Sequence, residues 1–292
     1  MFCASCGIAG ADDVKLMKCT GCYLVRYCSV KCQKEHRPQH KKECKKRAAE
    51  LRDEILFKQP ENTHFEDCPI CCLPLIEEKD SALWSCCCKR ICEGCLHANV
   101  KVEIEGKLDP KCPFCRTPLP KDEEHKINYM KRAEANDPIG LCGMGKWSAE
   151  KGYFDRALEY FTKAVALGDI EAHFYLSQMY HDGDGVEKDE KKELYHLEEA
   201  AIGGHTVARH NLGCVEVRRG SLDRAIKHCT ISANMGYRKS LESLAKLCRD
   251  GLVSKEDFVA ALLAHQAAIR AAKSPQREEA ANFFVSSGYY DR

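Results

Sequence analysis

The chain has 292 residues, a formal net charge of +1 and 21 cysteines, seventeen of them before residue 116 and four after it. Length alone suggests about two domains, but the cysteine asymmetry divides the chain near residue 120 into two compositionally different parts. Near-neutral charge excludes a global attraction to nucleic acid, while cysteine at about 15% of the first 115 residues signals a scaffold clamped by disulfides or by metal.

The sequence starts Met1-Phe2-Cys3-Ala4 with no apolar run of the signal-peptide kind, and no later segment is apolar for long enough to span a membrane. The expectation is a chain that is not secreted and resides in the cytoplasm and/or nucleus, where thiols stay reduced and available to metal.

Residues 3 to 44 read Cys3-x2-Cys6-x12-Cys19-x2-Cys22-x5-Cys28-x3-Cys32-x7-His40-x3-Cys44. Eight ligands in four close pairs suit two tetrahedral zinc ions of the structural type, in which protein groups fill every coordination position. A segment of about 45 residues buries too little apolar surface to fold alone, whereas one structural zinc contributes on the order of 10 to 16 kcal/mol. The metal is therefore the expected core.

This spacing, with Tyr27 ahead of the fifth ligand and Gln33 behind the sixth, resembles the MYND zinc finger at every ligand. The resemblance implies interleaved sites, with Cys3, Cys6, Cys28 and Cys32 on one zinc and Cys19, Cys22, His40 and Cys44 on the other. It further implies a protein-binding module that takes short proline-containing peptides in a groove formed partly by a tryptophan four residues after the sixth ligand. His36 stands at that position and is expected to be a surface histidine on a helix. The basic run Lys34, Arg37, Lys41, Lys42, Lys45, Lys46 and Arg47, against Glu35 and Glu43, reads as a solvated face. Nucleic acid is not an expected partner, since aromatic stacking partners are few nearby.

After a linker expected over 47–66, the segment 68 to 115 reads Cys68-x2-Cys71-x14-Cys86-Cys87-Cys88-x3-Cys92-x2-Cys95-x16-Cys112-x2-Cys115. Four pairs again favour a cross-braced module holding two zinc ions, and the pattern resembles a RING domain. Interleaving then implies Cys68, Cys71, Cys92 and Cys95 on one ion, and Cys112 and Cys115 with two of the triplet on the other. RING-like loops of the form Cys-Cys-Gly-Lys match Cys86-Cys87-Cys88-Lys89 and favour Cys86 with Cys87; Cys86 with Cys88 remains open. Cys72 is surplus and expected to be a small buried thiol.

In ubiquitin ligases of the RING type, an aliphatic residue between the first two ligands docks the ubiquitin-conjugating enzyme, a proline follows the seventh ligand, and a cation past the eighth bridges that enzyme to ubiquitin. Here those positions hold Ile70, Pro113 and Arg116. Such ligases form no covalent intermediate and work by positioning a charged thioester, so no catalytic nucleophile is expected.

A connecting helix is expected over 119–136. From residue 137 the chain repeats: Gly140, Ala172, Ala208 and Ser240 are spaced by 32, 36 and 32 residues, and Met144, Leu176, Leu212 and Leu244 keep the same intervals. Gly168, Gly204 and Gly236 close successive units. A period in the thirties means stacked helical hairpins that need one another to bury their faces. The units resemble Sel-one-like repeats, relatives of the tetratricopeptide repeat, most clearly from Gly168 to Gly204. The glycine-rich loop Asp182 to Val186 is expected to be a plain turn, because a full calcium-ligand pattern is missing. Ser254 caps a further helix and Ser274-Pro275 restarts another, ending near Phe283-Phe284 and expected to cover the open end of the stack. Cys142, Cys214, Cys229 and Cys248 are expected in the core.

The expected fold is mostly α, with two small zinc-stabilised cross-brace modules and then an α-solenoid: a MYND-type finger over 1–46, a RING-type finger over 67–118, and repeats with capping helices over 137–292. Four structural zinc ions are expected. Two functions fit: a RING-type ubiquitin-protein ligase whose repeats and MYND module hold protein substrates, with ubiquitin-conjugating enzyme and ubiquitin as partners, or a non-catalytic adaptor that uses the same modules as interaction surfaces. MYND fingers also occur in methyltransferases, but no SET motif is found in this sequence.

Overall fold

The computed structural model describes residues 1–10, 14–120 and 122–286. It divides into two compact units, one ending at Lys58 and one beginning at Gln59.

In the first unit, β1 (Met17–Lys18) pairs antiparallel with β2 (Arg26–Tyr27), placing Met17 opposite Tyr27. Helix α1 (Val30–Leu56) follows, and the Ser29 side chain caps it by accepting from the amide of Cys32 at 3.2 Å. The buried core consists of Cys3, Cys19, Cys22, Cys32 and the ring of Tyr27. Thiols thus occupy the place that aliphatic side chains fill in larger domains. Residues 47–56, expected in a linker, are the last turns of α1: Arg47 pairs with Glu50 and Glu54 along the helix, and the chain leaves it just before Pro60, whose ring disfavours a helical residue ahead of it.

The second unit opens with the other cysteine-rich module. A 3-10 turn (Glu78–Asp80) leads into β3 (Ser81–Trp84), which pairs antiparallel with β4 (Lys89–Cys92), and α2 (Glu93–Glu105) follows directly. Leu75, Trp84 and Ile91 are buried with Cys68, Cys92, Cys95 and Cys112.

Helix α3 (Asp122–Glu134) packs on α4 (Pro138–Glu150), which forms a hairpin with α5 (Phe154–Ala166). Further hairpins join α6 (Ile170–Asp182) to α7 (Glu190–Ile202) and α8 (Thr206–Arg218) to α9 (Leu222–Asn234), while α10 (Arg238–Arg249) and α11 (Lys255–Ala271) both pack on α9. The small residues of the repeat sit where helices cross: Ala172, Ala208 and Ser240 are fully buried. A side chain at Gly140 would meet the Cβ of Arg132 at 2.5 Å. Asp137, Asp169 and His205 precede those residues by three and cap α4, α6 and α8 through their side chains.

Gly168, Gly204 and Gly236 all adopt left-handed backbone, with φ of +89°, +87° and +91°. Two of them also receive the cysteine-rich module: a Cβ on Gly204 would stand 2.6 Å from the Asn62 carbonyl, and one on Gly236 would stand 2.7 Å from Ile76. Around Gly204, the His64 amide donates to the glycine carbonyl at 3.2 Å, and the His64 ring stacks on His205 at 4.1 Å between centroids.

Several expectations fail. Helix α12 (Pro275–Ser286) does not cover the end of the stack but packs along α2, where Phe283 lies 4.7 Å from the His97 ring and Ala280 and Phe284 are buried. Cys142 and Cys229 are buried, but Cys214 is exposed, facing the edge of His210, and Cys248 is half-buried. A helical face one residue off the core stripe is enough to put a small thiol in solvent.

Candidate metal centres and their surroundings

Four clusters of cysteine and histidine assemble, each with its ligand atoms within 4.8 Å of one another: Cys3, Cys6, Cys28 and Cys32; Cys19, Cys22, His40 and Cys44; Cys68, Cys71, Cys92 and Cys95; Cys86, Cys87, Cys112 and Cys115. Ligands interleave in both modules, so each pair of centres staples distant segments crosswise.

The local cause is one repeated turn. After each of Cys3-x2-Cys6, Cys19-x2-Cys22, Cys68-x2-Cys71 and Cys112-x2-Cys115, the next residue donates its amide back to the first cysteine's carbonyl, at 3.0, 2.9, 2.8 and 3.0 Å. That next residue is left-handed every time: Gly7 (φ 74°), Tyr23 (59°), Cys72 (56°) and Arg116 (62°). Only the first is glycine, so the other three turns accept a conformation costing roughly 1 to 2 kcal/mol per residue. The amides of Cys3, Cys19, Cys68 and Cys112 donate in turn to the carbonyls of Ile8, Val25, Leu73 and Thr117, and these second bonds, with an ion that the cysteines would hold, would offset it.

The donor sets fit zinc. A tetrahedral ion with bonds of about 2.3 Å to sulfur places its sulfurs about 3.8 Å apart. The Sγ atoms of Cys6 and Cys28 are 3.6 Å apart, Cys28 and Cys32 3.6 Å, Cys19 and Cys44 3.7 Å, Cys71 and Cys92 3.7 Å, and Cys87 and Cys112 3.6 Å. His40 joins through Nε2, 3.2 Å from Cys22 Sγ. These separations are far beyond the roughly 2.05 Å of a disulfide. With every position filled by protein, the clusters suit structural rather than hydrolytic metal.

Electrostatics within each cluster is uneven. Backbone amides of Cys6 and Cys28 hold the Cys3 thiol down at about 6. Burial works against Cys68, yet the amides of Cys71, Cys92 and Ile70 bring it to about 7. Burial likewise opposes Cys115, which the hydroxyl and amide of Thr117 lower to about 6. Their neighbours go the other way: hydrogen bonds from adjacent thiols push Cys28 up to about 12, and burial raises Cys87 to about 11. Thiolates this close resist ionising together until a divalent ion compensates them.

The triplet resolves geometrically. Cys86 and Cys87 face Cys112 and Cys115, while Cys88, left-handed at φ 54°, turns into the protein toward Arg132 and Asp137. Burial, with Asp137 nearby, pushes its thiol up to about 12. Cys72, expected to be a small buried thiol, is instead exposed, because the left-handed turn after Cys71 points its side chain outward; the buried surplus thiol of the module is Cys88.

Of the positions tied to a conjugating enzyme, Ile70 is 45% exposed on its loop and Pro113 is half-buried. Arg116 is exposed but engaged: its Nη2 lies 3.2 Å from the buried carboxylate of Glu103, which also accepts from the Lys111 amide at 2.7 Å and from Asn99 at 3.2 Å. Asn99 donates in addition to the Lys111 carbonyl at 3.0 Å. Asn99 and Glu103 lie four apart on α2 and together fix the approach to Cys112. Their spacing was visible in the sequence but carried no ligand chemistry to single them out. In the first unit, His36 is more than a surface histidine: its Nδ1 is hydrogen-bonded to the Tyr27 hydroxyl at 3.0 Å, and its ring stacks on that of His40.

Residues 3–44 match the MYND finger family, and residues 149–169 and 170–205 match the Sel1 repeat family. Over 31 residues the chain is 58% identical to Histone-lysine N-methyltransferase SMYD3 of Homo sapiens, covering 11% of this chain and 7% of that one. Over 92 residues it is 29% identical to Chitin synthase regulatory factor 4 of Schizosaccharomyces pombe, covering 31% of this chain and 14% of that one. The chain thus spans only a small part of the length of these curated relatives. Among solved structures it resembles a Sel1 repeat protein from Oxalobacter formigenes (22% identity, TM-score 0.44, covering 52% of this chain and 66% of that one). It also resembles c5321, a protective antigen of uropathogenic Escherichia coli with an SLR fold (22% identity, TM-score 0.42, covering 58% and 37%). A zinc-binding MYND finger followed by Sel1 repeats suggests a role in protein interaction. Among the described residues no helix is long and apolar enough to cross a membrane.

Proposed function

We propose that residues 67–118 are a RING-type module and that the chain is a ubiquitin-protein ligase, its repeats and MYND finger holding protein substrates. The reading rests on one observation above the others: a second cross-braced pair of cysteine clusters carries an exposed aliphatic residue, Ile70, on one metal loop and Pro113 and Arg116 on another. A module of this kind binds a ubiquitin-charged conjugating enzyme and restrains the thioester in an attack-ready geometry, so that its contribution is orientation. A zinc ion held by Cys68, Cys71, Cys92 and Cys95, and one held by Cys86, Cys87, Cys112 and Cys115, would supply the rigidity of the two loops. Arg116 would offer the planar fork of donors that a bridge between two carbonyl-bearing partners requires.

The second reading, a non-catalytic adaptor, is favoured by the ion pair of Arg116 with Glu103, which employs part of that fork inside the module. Self-ubiquitination with a purified activating enzyme and a broad panel of conjugating enzymes separates the two. The ligase reading expects chains from the wild type and at least a tenfold loss in Ile70→Ala and Arg116→Ala. Absence of chains with every conjugating enzyme, or variants as active as wild type, leaves the adaptor.

A further inference from the structure

The side chain of Arg277, in the first turn of α12, reaches across the loop that carries Cys71. Its Nη1 donates to the carbonyls of Pro74 at 2.7 Å and Ala272 at 2.8 Å, and its Nη2 donates to the Leu73 carbonyl at 3.0 Å and to Cys71 Sγ at 3.4 Å. Cys71 belongs to the cluster with Cys68, Cys92 and Cys95. The helix that brings Arg277 there is docked at several further points. Lys101 pairs with Glu279 at 2.9 Å, His97 lies against Phe283, and Gly94 is open enough for the Arg277 backbone to pass where a Cβ would stand 2.9 Å away.

Four thiolates on one divalent ion leave a net negative charge, which a donor cation at one sulfur stabilises. The same guanidinium locks the carbonyls two and three residues beyond that sulfur, so it fixes where Cys71 points as well as its charge. Partners of this sort, which touch a metal ligand rather than the metal, commonly change metal affinity by about 10- to 100-fold.

We propose that Arg277 is a positioning residue for the zinc centre of Cys68, Cys71, Cys92 and Cys95, and that zinc retention at that centre and docking of α12 on α2 are one coupled equilibrium. The proposal rests on the assignment of those four cysteines to one zinc ion. It is independent of ligase activity.

The test uses the full chain loaded with zinc, challenged with EDTA and iodoacetamide, with labelled cysteines identified by mass spectrometry and α12 followed by hydrogen exchange. In wild type the four cysteines should be protected until their ion leaves, and α12 should lose protection in step with them. In Arg277→Gln they should label about tenfold faster, with the other three centres at the wild-type rate. Arg277→Lys, which keeps a charge but loses the fork, should fall between. Phe284→Ala, which loosens α12 without touching the sulfur, should accelerate the same centre only. Labelling within twofold of wild type in Arg277→Gln overturns the proposal, as does equal acceleration of all four centres or an unchanged rate in Phe284→Ala. Cysteines unprotected even in zinc-loaded wild type would remove the ligand assignment and the proposal with it.

Discussion

At the scale of single residues, the decisive property is backbone handedness. Three adjacent cysteines are chemically equivalent in the sequence, and only the left-handed turn at Cys88 separates the one that points inward from the two that face Cys112 and Cys115. The resemblance to Cys-Cys-Gly-Lys loops puts a glycine at that position, and glycine tolerates the left-handed backbone that Cys88 accepts. No analogous pattern distinguished Cys72, and its exposure could not be read from the sequence. Substituting Cys87→Ser should lower the zinc content of the purified chain from four ions to three, whereas Cys88→Ser should leave four, as read by elemental analysis. Cys72→Gly should stabilise the second unit by about 1 kcal/mol, since glycine enters the left-handed region without steric cost; a thermal melt that fell instead would contradict this account.

At the scale of elements, the repeat was legible because its marks are local. Small crossing residues and terminal glycines recur at fixed intervals, and each one makes a specific helix cross or end. The seam between modules was not legible, because nothing in a 32- or 36-residue interval says that Gly204 and Gly236 also face Asn62 and Ile76 while Gly168 faces open space. All three need glycine for their φ, but only two need it for room. Alanine at Gly236 should therefore destabilise the chain by about 1 kcal/mol more than alanine at Gly168, in paired chemical denaturation measurements, because the former adds a clash to the shared backbone cost. Helix α12 was legible from Ser274-Pro275, but the surface it docks on was not, for a related reason. Its aromatic pair signals an apolar contact, but not which surface supplies it or that only Phe284 would be buried.

At the scale of the whole molecule, charge and protonation join the second unit's zinc module to its repeats. Lys146 on α4 lies 2.9 Å from Glu171 and 3.4 Å from Glu78, and Glu78 lies 3.7 Å from Arg90. Burial disfavours the charge on Lys146, but Glu171, Tyr175 and Glu78 together hold its pKa above the usual lysine range. Beside this network the His64 ring is kept neutral: burial lowers it to about 4, Arg90 and Lys146 assist, and Glu171 opposes. His205, stacked on it, is driven down by burial and by His64. With a folded value of about 4 against an ordinary 6.5, the unfolded chain binds the proton more readily, so stability is full above pH 6.5 and falls as the pH drops toward 4. Between pH 6.5 and 5 His64 alone should cost about 1.5 kcal/mol. Denaturant midpoints measured at both values should show this slope in wild type and a shallower one in His64→Phe. Chelation should act differently on the two units. The first, whose core is thiols around Tyr27, should lose its fold, whereas the helical hairpins should keep their far-ultraviolet circular dichroism.

The contact of Arg277 with Cys71 spans 206 residues of chain. A ribosome adding about 5 to 20 residues per second takes roughly 10 to 40 seconds to cross that distance. The cysteine cluster emerges, and can capture its ion, long before the guanidinium that braces it has been made. On the proposed coupling, a zinc ion captured during that interval would be held without its brace and would exchange more readily. Synthesis of α12 would end that interval, so translation itself would set how long the centre must survive unbraced.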